Sequence, residues 1–229
     1  MMSVVATRSV VDEEGPGSMA DLVARLGSVP LDRIVAWPPP GMATEEDLLR
    51  EPAGRKRVCE LVDGVLVEKP MATYESVLAT ILSTLLWNFL DAHDLGVIAG
   101  EAGLLRLGQG LVRAPDVSFI SWDQFPDREL PADAIFSAAP DLAVEILSPS
   151  NTEGEMDRKL REYFAAGTRL VWMMDPEAVT VSVYTSPEEW SVCTVDGELD
   201  GGDVLPGFRV SVREWMQKAG RRKKEKAEG

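Results

Sequence analysis

One acidic residue in the middle of an apolar strand constrains this chain more than any other feature. The stretch Pro140-Asp141-Leu142-Ala143-Val144-Glu145-Ile146-Leu147-Ser148 carries Leu142, Val144 and Ile146 on one face and Ala143 and Leu147 on the other. Runs of this kind belong to central strands covered on both sides. Glu145 sits inside the run. A carboxylate in a low-dielectric interior is tolerated only when it is paired, hydrogen-bonded or bound to a metal. The residues opposite Glu145 therefore decide both fold and chemistry.

Asp116 is the best candidate partner. It follows Pro115 inside an expected strand from Val112 to Ile120, on the same strand face as Ala114. Two carboxylates on neighbouring strands repel by about 4 kcal/mol at ~4 Å in an effective dielectric of ~20. One of them must then take up a proton, or a cation must sit between them. A divalent metal resolves the conflict, and two carboxylates plus waters form a set that Mg²⁺ accepts. Lys159 lies one helical turn before Tyr163, on the flank of a helix that starts just after the Glu145 strand. It can stabilise an attacking hydroxide or the charge on a phosphoryl group. A lysine laid along the surface with its head in water is an equal alternative.

Around these residues the chain reads as alternating helices and strands. Met19 to Leu26 has helical spacing, Pro38-Pro39-Pro40 reads as a rigid extended linker, and Thr44 N-caps a short helix from Glu45 to Arg50. Asp63-Gly64 joins two strand-like runs into a hairpin from Cys59 to Glu68. The clearest helix runs from Thr73 to about Ala92, with Val77, Leu78, Ile81, Leu82, Leu85, Leu86, Phe89 and Leu90 as one broad stripe. Glu75 lies at the edge of that stripe, where a helix N-terminus by itself favours an acid. Further strands are expected at 97–99, 104–107 and 111–121, with a loop holding up to one helical turn over 122–139. Thr152 and Glu155 form a capping box for a helix to about Ala166, closed by Gly167. Strands follow at 170–174, 179–184 and 190–194, then a final helix from Val212 to Lys218 carrying Trp215. The expected division is 1–18 disordered, 19–56 a helical extension with its Pro-rich linker, 57–219 the main domain, and 220–229 a basic disordered tail.

Composition narrows the function classes. His93 is the only histidine, which argues against a multi-histidine zinc site or a Ser-His-Asp triad. Cys59 and Cys193 make neither a disulfide framework nor a zinc pattern and read as ordinary buried thiols. No apolar run reaches the roughly 18 residues of a membrane span, and the start lacks signal-peptide order, so a cytoplasmic chain is expected. The net charge of −15 lacks the basic footprint usual for nucleic-acid binders. The exception is the tail Arg221-Arg222-Lys223-Lys224-Glu225-Lys226, either a solvated end or a nonspecific phosphate contact.

Together, Glu60-Leu61-Val62-Asp63-Gly64, Pro115-Asp116, Val144-Glu145-Ile146-Leu147-Ser148-Pro149-Ser150, Lys159, Tyr163, Gly167 and Asp175-Pro176 resemble the putative restriction endonuclease domain family. That family belongs to the PD-(D/E)XK nuclease-like superfamily and is widespread in bacteria. The similarity covers about residues 57 to 215. It implies an α/β (α+β), restriction-endonuclease-like fold, a mixed β-sheet flanked by helices, here with an N-terminal extension. It also implies hydrolysis of DNA phosphodiester bonds with Mg²⁺ (or Mn²⁺) held by Asp116 and Glu145. Glu75 then falls where related helices often carry another acidic or polar site residue. Leu147 stands where the superfamily expects a lysine two residues after the acid, and Lys159 from the next helix takes its place. A catalytically silent nuclease-fold binding or assembly module and an acid/base enzyme on a small molecule are the other readings. A homodimer would cover exposed apolar positions.

Overall fold

The structure, a computed structural model, describes residues 17–50, 58–70 and 72–220. The sequence expectations for residues 1–16 and for the basic tail from 221 onward lie outside the described residues.

The chain opens with α1 (Met19–Arg25), capped by the Ser18 hydroxyl, and α2 (Glu45–Leu49), where Thr44 and Asp47 form a reciprocal capping box. The hairpin strands β1 (Cys59–Val62) and β2 (Val65–Glu68) follow. Then come α3 (Thr73–His93), β3 (Gly96–Gly100), β4 (Leu104–Gly108), β5 (Leu111–Arg113) and β6 (Val117–Ser121). The second half holds β7 (Ile135–Phe136), β8 (Leu142–Ile146), α4 (Glu153–Ala166), β9 (Leu170–Asp175), β10 (Thr180–Tyr184) and β11 (Trp190–Thr194). It ends with β12 (Glu198–Asp200), β13 (Arg209–Ser211) and α5 (Val212–Ala219).

These strands form a six-stranded sheet in the order β11-β10-β9-β8-β6-β3, a five-stranded sheet in the order β2-β1-β5-β4-β7, and a small β12-β13 ribbon. Both larger sheets are mixed: β8 and β9 pair in parallel, as do β4 and β7, among antiparallel neighbours. The mixed-sheet architecture flanked by helices is as expected, and it is divided into two sheets at Pro115. Proline has no N–H to give to a ladder, so the expected strand from Val112 to Ile120 breaks into β5 and β6, which belong to different sheets. Asp116 therefore sits at a crossover, not inside a strand.

The main core lies between α3, α5 and one face of the six-stranded sheet, built from Leu78, Leu82, Leu86, Leu142, Val144, Trp172 and Trp215. The apolar stripe of α3 is narrower than its sequence suggests, because Val77 is 38% exposed while Leu78, Leu82 and Leu86 are fully buried. On the opposite face of the sheet, α4 packs Met156, Leu160 and Tyr163 against Ala143, Val171 and Met173.

The N-terminal segment is docked onto this body. Leu22, Leu26 and Val29 pack against Val62, Val65 and Val67 of the hairpin. Gly27 lies so close to the first turn of α4 that a Cβ there would meet the Gly154 backbone at 2.4 Å. Thr152 caps α4 through the Glu155 N–H, but the capping box is only half made, because the Glu155 carboxylate turns to Arg33 and Asn151. The stretch from Pro38 to Pro40 bends and turns, with a cis peptide at Trp37–Pro38. The Gly41 and Ala43 N–H groups both donate to the Gly64 carbonyl, which ties this segment to the hairpin turn. The segment from Trp122 to Ala139, expected as a loop with up to one helical turn, holds two 3₁₀ turns and the two-residue strand β7.

Candidate active site

Glu145 is 4% exposed, one residue before the end of β8. Its carboxylate points toward α4 and meets two side chains one helical turn apart. Lys159 Nζ lies 3.0 Å and 3.1 Å from the two carboxylate oxygens, and the Tyr163 hydroxyl donates to Oε1 at 2.5 Å. Residues four apart share a helix face, so the packing of Met156, Leu160 and Tyr163 that seats α4 also aims Lys159 inward. Lys159 is 1% exposed.

Lys159 also touches a second acid, Glu60 of β1, at 3.1 Å. Glu60 is wholly buried. Its carboxylate accepts from Arg113 Nη1 at 2.7 Å and from the Ala114 N–H at 3.1 Å. Arg113, at the end of β5, reaches Glu162 with its remaining nitrogens.

Asp116 straddles Glu145 along β8. Its own N–H donates to the Val144 carbonyl at 3.0 Å, and its Oδ2 accepts from the Ile146 N–H at 2.6 Å. Oδ1 accepts from Lys69 Nζ at 2.9 Å. Lys69, just past β2, also donates to the Ala114 carbonyl. The site is thus assembled from both sheets, the crossover between them and α4. Its three acids, Glu60, Asp116 and Glu145, are balanced by Lys69, Lys159 and Arg113, with Glu162 on the far side of the guanidinium.

Burial and pairing pull the titrations apart. Burial pushes Glu145 above the ordinary carboxyl range, although Lys159 and Lys69 oppose the shift. Burial acts the same way on Glu60, but Lys159, Arg113 and Lys69 outweigh it and hold Glu60 well below that range. Burial lowers both lysines, and the surrounding carboxylates overcome it, so each stays a cation: Asp116, Glu145 and Glu60 around Lys69, Glu145 and Glu60 around Lys159. Burial and the Glu145 carboxylate raise Tyr163, which remains a donor.

The acids open to solvent at Asp116. It borders a groove of about 500 Å³ that is also lined by Ser76, Thr80, Trp87 and Glu101. Glu101 is raised by partial burial, with Lys69 and Asp116 acting on it in opposite directions. Glu75 lies in the first turn of α3, 4% exposed, one residue before the groove-lining Ser76. A larger groove of about 580 Å³ beside Tyr184 and Trp190 contains none of these charged residues.

Hard oxygen donors of the kind Mg²⁺ takes surround one position here: Asp116 Oδ1 and the Ala114 carbonyl, within the field of Glu145 and Glu60. In this structure the cation at that position is the Lys69 ammonium. Among the described residues no group of three or more His, Cys, Asp or Glu side chains is placed to hold a metal ion. The donor set fits a divalent ion in kind, with the ammonium standing in for it.

Sequence reasoning singled out Asp116, Glu145, Lys159 and Glu75. The structure brings the first three into one cluster and adds Glu60, Lys69, Tyr163 and Glu101. Glu60 had a signal of the same sort as Glu145, an acid between apolar strand residues. Lys69, at the end of a strand before Pro70, had none.

Comparison with known proteins bears on this geometry. The family model Uma2, described as "Putative restriction endonuclease", matches residues 45–213, well over half the chain. The crystal structure of "a putative nuclease belonging to DUF820" from Anabaena variabilis superposes with a TM-score of 0.67 at 22% identity, covering 77% of this chain and 98% of that one. At that identity the likeness speaks for the fold. No curated protein matches the chain.

Proposed function

This chain belongs to the family described as "Putative restriction endonuclease", and from that premise we propose that it hydrolyses DNA phosphodiester bonds with a divalent metal ion, Mg²⁺ or Mn²⁺. The supporting observation is that Asp116, bonded to β8 on either side of the buried Glu145, holds a cation beside a solvent groove. Asp116 and Glu145 are the residues to hold the ion. A divalent ion there supplies Lewis-acid polarisation of the phosphate and a water of lowered pKa. Asp116, at the groove, is the acid a substrate reaches first. Lys159 and Tyr163 fix the orientation of the Glu145 carboxylate. Lys159 is thus a positioning residue, whose positive field also stabilises negative charge building at a phosphoryl group. Glu75 is the further acid at the start of α3. Along the groove, Trp87 is 57% exposed and offers a face on which a base can stack.

Purified protein should nick or linearise plasmid DNA with Mg²⁺ or Mn²⁺ and stop with chelator. Asp116→Asn and Glu145→Gln should each lower the rate by about 100-fold or more. Wild-type protein that leaves DNA intact over a range of metals and salt concentrations sinks the proposal. One observation favours a second reading, a catalytically silent nuclease-fold module: protein donors already engage the carboxylate oxygens of Asp116 and Glu145.

A further inference from the structure

We propose that Lys69 is the resident cation of this site and sets what other cation can enter it: its ammonium fills the seat beside Asp116 Oδ1 and the Ala114 carbonyl, and a divalent ion binds there only as Lys69 withdraws. This rests on the metal-dependent reading above and specifies how that site is loaded.

The side chain of Lys69 is 3% exposed and its partner Asp116 is 14% exposed. Asp116 faces the groove, so an ion arriving from solvent meets that carboxylate first and the ammonium directly behind it. Asp116 Oδ2 is pinned by the Ile146 N–H and Oδ1 is taken by Lys69. An incoming ion therefore competes for Oδ1 with a charge already present. Two cations sharing one carboxylate in a poorly screened interior repel strongly. The charge count points the same way: Glu60, Asp116, Glu145 and Glu162 face Lys69, Lys159 and Arg113, four acids against three cations. A divalent ion added to that set leaves one excess positive charge, which the withdrawal of one cation removes. Lys159 cannot leave easily, because it is shared between Glu145 and Glu60 and packed under α4. Lys69 sits past the end of β2 on a flexible four-carbon stem, bonded to Asp116, which lines the groove.

The test is Mn²⁺ binding to the full chain, followed by titration calorimetry and by the electron spin resonance of the free ion. Lys69→Met should bind one Mn²⁺ at least about tenfold more tightly than wild type, and adding Asp116→Asn should cancel the gain. Equal affinity in wild type and Lys69→Met, with Asp116→Asn abolishing both, overturns the inference and leaves the metal site standing. If none of the variants binds Mn²⁺, the inference and the metal-dependent reading fail together. Should Lys69→Met not fold, reductive methylation of wild type keeps the question open to measurement. Saturating Mg²⁺ should speed modification of Lys69 several-fold and leave Lys159 protected. Lys69 equally protected with and without the ion overturns the proposal.

Discussion

The two faces of β8 obey different rules. On one, Leu142, Val144 and Ile146 press against α3, Trp172 and Trp215. Contacts there are non-directional, and many neighbours share the burial of each residue. On the other, one residue along, Glu145 enters a chain of named partners: Lys159, Tyr163 and, through Lys159, Glu60 and Arg113. In that chain each atom has a specific donor or acceptor, and removing one group strands another. The apolar face is robust and anonymous. The charged face is specific and brittle, as a site that must hold one geometry requires.

The widest gap between the two faces should appear in truncations. Glu60→Ala leaves Arg113 and Lys159 each short of a carboxylate inside the protein. Breaking a buried ion pair in this way costs about 3–5 kcal/mol. Leu82→Ala, at a position with no exposure, removes apolar volume and leaves a cavity, at about 3 kcal/mol. Urea unfolding of both variants checks the order. If Leu82→Ala costs clearly more, the charged cluster contributes little to holding the two sheets together, and the contrast fails.

This difference also explains what could be read from sequence. The apolar stripes of α3 and α4 and the alternation of β10 announce themselves by period, because burial on one face imposes it. β8 and β9 show instead as short continuous apolar runs covered on both sides, the hairpin by its Asp63-Gly64 turn, and the buried position of Glu145 by its place inside such a run. Asp116 and Lys159 were legible as candidates beside it, but Glu60 and Lys69 were not. Glu60 is 85 positions away and Lys69 is 76 positions away, and no local pattern reports a contact across two sheets. The break at Pro115 was within reach, since a proline argues against a continuous central strand. β7, β12 and β13 have two or three residues each, too few to show a period.

The charged side extends to the N-terminal segment through Arg33, which grips both oxygens of Glu155 at 2.6 and 2.8 Å. Burial alone would raise Glu155, but the bonds from Arg33, the nearby Lys159 and Asn151 hold it below its ordinary value. The folded chain therefore keeps this carboxylate ionised after the unfolded chain has taken up a proton. The stabilisation is complete above the unfolded value near 4.5 and fades as pH falls through the lower folded value. Glu155→Gln should cost about 2 kcal/mol at neutral pH and flatten the acid limb of stability against pH. An unchanged acid limb would show that the lock is not coupled to folding.

The finest test is Tyr163→Phe. Phenylalanine fills the same space under α4, so no cavity forms, and the only loss is the hydroxyl that donates to Glu145 Oε1. Both Glu145 oxygens still meet Lys159, so the carboxylate is weakened but not abandoned. One hydrogen bond to a charged group that keeps its other partner should cost about 1–2 kcal/mol, below the three changes above or level with the least of them. A loss matching Glu60→Ala would mean that Tyr163, not Lys159, is what makes the buried acid tolerable. No loss at all would mean that the charged face forgives a missing directional partner as readily as the apolar face forgives a small rearrangement. In that case the two sides of β8 would no longer differ in kind.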